Sequence, residues 1–75
     1  STTTSYDWLG NTWSNKGEFD KALEFLEKSL SIKLKIRGKN HPSTGSSYNE
    51  LGLIWRDKGF HEKSLEYLNN SLLIY

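Results

Sequence analysis

The sequence predicts an all-α protein of tandem antiparallel helical hairpins, with four helices in about two repeats. Three observations predict it. Valine is absent while leucine occurs eleven times, and Leu, Glu and Lys favour helix where a sheet would draw on β-branched residues. Residues 1–33 laid over 43–75 give sixteen identical pairs at an offset of 42, among them Tyr6/Tyr48, Leu9/Leu51, Gly10/Gly52, Trp13/Trp55, Gly17/Gly59, Leu26/Leu68 and Leu30/Leu72. The apolar residues inside each copy recur at helical, not strand, spacing. The chain therefore reads as one segment, 1–75, with repeat one at 1–42 and an incomplete repeat two at 43–75.

Each element has its own signal. In the first helix, near 3–16, Tyr6, Leu9, Gly10 and Trp13 fall at i, i+3, i+4, i+7 and share a face. Lys16-Gly17 ends it, glycine suiting the left-handed position after a helix. The second helix, 19–36, carries two apolar stripes. One is Phe19, Leu23, Leu26 and Leu30; the other is Phe25, Ser29, Ile32 and Ile36. Two such stripes require neighbours on two sides. Gly38 and Asn40-His41-Pro42 close the unit, Pro42 being suited to the first position of the next helix. The third helix, near 43–58, and the fourth, near 61–74, repeat the pattern. The expected core is Tyr6, Leu9, Trp13, Leu23, Leu26, Leu30, Leu51, Trp55, Leu65 and Leu68. Gly10 and Gly52, inside helices, are expected where helices pack closely.

Composition narrows the function classes. Seventy-five residues with 35% hydrophobic content hold one small domain with a thin core. No apolar run is long enough to span a membrane, and Ser1-Thr2-Thr3-Thr4-Ser5 is not a secretory leader. A cytoplasmic location is expected. The absence of cysteine removes disulfides, thiolate metal sites and cysteine nucleophiles. A net charge of +1 argues against a dedicated nucleic-acid binder. With no methionine, the chain is expected to be an excerpt of something longer.

The run Tyr-x-x-Leu-Gly-x-x-Trp, Lys-Gly, then Phe-Asp-Lys-Ala-Leu-Glu-Phe-Leu-Glu-Lys-Ser-Leu resembles a tetratricopeptide repeat. The 42-residue period and the Gly-Lys-Asn-His-Pro-Ser-Thr link are similar to the kinesin-light-chain-type subclass, whose second helix is longer. The resemblance implies a right-handed superhelix whose first helices line a concave groove for a peptide or protein partner. It places Thr4, Asp7, Trp8, Asn11 and Asn15 on that groove in the first copy, and Ser46, Asn49, Glu50, Leu53 and Arg56 in the second. Relatives that grip a C-terminal carboxylate use Lys or Arg with Asn. Here Asp7 stands in the place of that Lys and Glu50 in the place of an Asn, so the clamp pattern is not matched. Trp8 and Glu50 also occupy places where light-chain-type repeats carry Asn.

Other residues carry weaker signals. Trp8 is either an exposed aromatic anchor for a partner or a side chain lying across the hairpin surface. Lys33, Lys35, Arg37 and Lys39 read as solvated cations that complement the end of the second helix. Asp20, Glu24 and Glu27 do the same at its start, Glu24 and Lys28 forming an i, i+4 pair. His41 and His61 lie on different turns, and no catalytic, cofactor-binding or metal-ligating constellation is visible, so no enzyme, cofactor or metal is expected. Asn69-Asn70-Ser71 matches a glycosylation acceptor by coincidence, since Ser71 is on an inward stripe. The leading function is an adaptor or scaffold segment that binds a protein or peptide, with no nucleic-acid or membrane partner. The alternative is self-association through the last helix, by Tyr67, Ser71, Leu73, Ile74 and Tyr75, most simply as a two-fold dimer.

Overall fold

In the computed structural model, residues 2–74 are described, with side chains from 3 to 72. Four helices follow in order: α1 (Thr2–Asn15), α2 (Phe19–Ile36), α3 (Pro42–Asp57) and α4 (His61–Ile74). Helix α1 packs on α2 and α3 on α4, and the two hairpins meet where α2 packs on α3. The sequence places all four within one residue of these bounds.

Local chemistry sets the ends. After α1, the Gly17 amide donates to the Ser14 carbonyl and the Glu18 amide to the Trp13 carbonyl, with Gly17 at φ +81°. The second hairpin repeats this, Gly59 donating to Arg56 and Phe60 to Trp55. This pairing satisfies carbonyls the helix leaves open, and only glycine adopts that backbone without strain. In the second turn Phe60 also packs edge-on against Trp55, ring centroids 5.3 Å apart. Pro42 opens α3, and His41 caps it by accepting the Ser43 amide on Nδ1 at 3.0 Å. The Thr44 hydroxyl donates to the Gly38 carbonyl at 2.8 Å, which fastens α3 to the link before it.

The core is Ala22, Leu23, Leu26, Leu30, Leu51 and Ile54, flanked by Trp13, Phe19, Tyr48, Trp55 and Tyr67. Helix α2 supplies four of the six and α3 the other two, since each of these helices is covered by a hairpin partner on one side and by the other hairpin on the next. Gly10 is the point of closest approach: a Cβ there would stand 2.5 Å from Leu26 Cγ. At Gly52 the equivalent distance to Leu68 Cγ is 2.8 Å.

Four expectations need correction. Leu9 and Leu65, assigned to the core by spacing, are exposed. Their stripe faces a stacking neighbour, and within these residues only the inner joint has one. Ile36 of the second α2 stripe is exposed as well, although Ser29 of that stripe is buried, because the stripe's end lies beyond the reach of α1. Tyr6, Trp13, Trp55 and Leu68 are half-buried, their rings or ends lying at the rim of a thin core. Lys33, read as a solvated cation, is buried; helical spacing from Leu26 and Leu30 puts it on the packed stripe.

Candidate functional site

The two first helices of the hairpins, α1 and α3, present a shared polar face across the joint, and Lys33 of α2 forms its floor. Lys33 Nζ donates to Asp7 Oδ2 at 2.9 Å, to Ser47 Oγ at 2.8 Å and to the Ser43 carbonyl at 3.4 Å. An ammonium has three donors, so these acceptors use all of them. Asp7 Oδ1 is enclosed and takes no hydrogen bond among the described residues.

Glu50 of α3 completes the cluster. Its carboxyl is pushed above the usual carboxylate range, chiefly by burial and then by the Asp7 carboxylate, against the pull of Lys33 and a hydrogen bond from the Asn11 side chain. Two carboxylates thus lie near one ammonium, and Asp7 is the one bonded to it. A lysine that already serves Asp7, Ser47 and Ser43 has no donor left for the carboxylate of a peptide C-terminus.

The sequence-predicted groove residues divide around this centre. Asp7, Asn11 and Glu50 come together. Asn15, Asn49 and Arg56 are exposed, and Leu53 is half-buried; Arg56 lies beside Asp57 at 3.4 Å. Thr4 and Ser46 lie on exposed turns of α1 and α3. Trp8 does not join the cluster. It is exposed and lines a shallow hollow on α1 with Thr4, Ser5 and Leu9. Lys33 and Ser47 were missed by sequence reasoning, although both carry the helical spacing of buried positions.

The residues expected to self-associate are also redistributed. Ser71 is buried and Tyr67 half-buried, its ring tilted on Tyr48 at 6.2 Å and its hydroxyl donating to Glu27 at 3.1 Å. Burial, then the Glu27 carboxylate, raises the Tyr67 phenol above its ordinary value. These two belong to the packing of α4 on α3 and α2, which corrects their assignment to a free face. The side chains of Leu73 and Ile74, and all of Tyr75, lie outside the described residues. Among the described side chains, the large apolar residues that α4 exposes are Leu65 and Leu72, with Phe60 just before it.

Among the described residues no group of His, Cys, Asp or Glu is placed to hold a metal ion, and no helix is long and apolar enough to cross a membrane. Stacked α-hairpins with a polar face across their first helices define a helical-repeat protein. The chain belongs to the tetratricopeptide repeat family, whose model matches residues 1–75. Members of that family generally mediate protein–protein interaction. No curated protein matches the chain.

Proposed function

We propose that the chain is a scaffold or adaptor segment that binds a peptide or protein partner along the face of α1 and α3. The observation that carries this reading is the cluster of Asp7, Asn11 and Glu50 over a lysine whose donors are all used. Such a face offers acceptors to a partner. It suits a segment bearing a cationic side chain or backbone amides, and disfavours one that docks by its terminal carboxylate. The chain acts by binding and not by catalysis. Peptide arrays of acidic, neutral and basic sequences, probed with the intact chain, test this. Basic and neutral peptides bind, with loss on Asn11→Ala or Asp7→Asn; binding confined to peptides with a free acidic C-terminus would refute it.

A second reading, self-association, is favoured by the exposure of Leu65 and Leu72 on one flank of α4. The surface concerned is the flank that, in the first hairpin, packs against the next.

A further inference from the structure

The joint between the two hairpins is a template for a contact between copies. Leu23 and Leu30 of α2 are 5% and 8% exposed because they meet Leu51 and Ile54 of α3. Their counterparts 42 residues on, Leu65 and Leu72 of α4, are 59% and 72% exposed. The counterpart of Leu51, itself fully enclosed, is Leu9 of α1 at 40%. The same leucines that close the joint from both sides are therefore present, open, on the outer flanks of α1 and α4.

We infer that these two end faces recognise each other between copies, so that α4 of one chain receives α1 of the next, head to tail, in the register of the α2–α3 joint. This rests on the self-association reading and gives it a geometry.

Two flanking pairs support the register. On one side of the joint Lys58 pairs with Asp20. Shifted by 42, that pair becomes Lys16 and Glu62, opposite charges that are both exposed. On the other side Glu50 takes a hydrogen bond from Asn11. Shifted, that pair becomes Trp8, 74% exposed, against Leu53. A polar couple inside the chain is replaced by an apolar couple between chains, both members changing together. Trp8, exposed on α1, acquires a partner by this operation.

Not every contact is reproduced. The bonds that Lys33 makes across the joint to Ser47 and Ser43 have no equivalent, since the counterpart of Lys33 is Tyr75, and Thr12 replaces Ile54. The contact between copies is accordingly weaker than the joint. It is also heterologous, since it joins unlike surfaces, and it does not close after two copies as a two-fold dimer does.

Sedimentation velocity of the intact chain from micromolar to millimolar concentration, with circular dichroism to verify helicity, tests the proposal. The expected mass rises past dimer. Leu9→Asp and Leu72→Asp, both at exposed positions, each give a monomer, and their equimolar mixture gives one dimer through the single pair of intact faces. Lys16→Glu weakens association about two- to fivefold, and adding Glu62→Lys to the same chain restores it; this swap decides the matter if either aspartate variant loses helicity. A chain that stays monomeric throughout would overturn both the proposal and the self-association reading. Association that stops at dimer and survives Leu9→Asp would overturn the head-to-tail geometry alone.

Discussion

Lys33 and Asp7, 26 residues apart, meet at 2.9 Å where α2 passes beneath α1, and the ammonium also holds Ser47 of the other hairpin. One side chain thereby ties three helices together. A buried charge keeps this role only while it is paired. Lys33→Met, which keeps the length and removes the charge, should cost about 1–3 kcal/mol, because Asp7 is left partly enclosed without its cation. Adding Asp7→Leu should recover at least half of that loss in urea unfolding. A double variant no better than the single one would show that the two are not coupled.

At the crossing of the helices in each hairpin, Gly10→Ala should destabilise by about 1–3 kcal/mol, in spite of the roughly 1 kcal/mol that alanine gains over glycine in a helix. The added methyl meets Leu26, which is fully enclosed and has nowhere to move. Gly52→Ala should cost less, since Leu68 is only half-buried and gives way more easily. Thermal or urea unfolding of the two variants ranks them; the opposite order would mean that the close approach at Gly10 is relieved elsewhere.

Leu23 and Leu65 differ only in what covers them. Leu23→Ala should lose about 2–5 kcal/mol, whereas Leu65→Ala at dilution should stay within about 0.5 kcal/mol of the parent. Equal losses for the two leucines would mean that the outer flank of α4 is covered in the dilute monomer.

The raised carboxyl of Glu50 has a definite pH consequence. A group held above its ordinary value in the folded state binds its proton more tightly there than in the unfolded chain. Its stabilising contribution is full below the ordinary carboxylate range and is lost as pH rises through the folded value. Glu50→Gln, which still accepts from Asn11, should therefore be neutral in acid. At neutral pH it should be stabilising by up to about 0.5 kcal/mol, kept small by solvent screening. Denaturation midpoints across mildly acidic to neutral pH check the sign, and a variant less stable at neutral pH contradicts it.

Most of the fold was legible because its signals are local or recur. The turn glycines Gly17 and Gly59, Pro42 at the start of α3, and the helical spacing of Leu23, Leu26 and Leu30 each act within a few residues. What escaped was whatever depends on a neighbour. Leu9 and Leu65 carry the same spacing as Leu51 and Leu23, and no pattern within one helix says which of them is covered. Lys33 was misread for a different reason. It follows Leu26 and Leu30 at i+7 and i+3, so its place on the buried stripe was visible, but its charge suggested solvent. The meeting of Asp7, Lys33 and Glu50 from three helices was not legible, since no sequence interval brings them together.

The position of α2 sets the order in which the molecule comes apart. It and α3 are the two helices packed on both a hairpin partner and the other hairpin, while α1 and α4 each leave an apolar flank open. In a stacked array, stability is a sum of units and the couplings between neighbours, so openings start at the outer helices and reach α2 and α3 last. Amide protons in the middle of α2, around Leu26 and Leu30, should exchange with deuterium only through global unfolding, while those of α1 and α4 exchange through partial opening. A partner lying across α1 and α3 would grip one outer helix and one at the joint. Binding would then slow exchange most in α1, the part of the face that opens most readily without it.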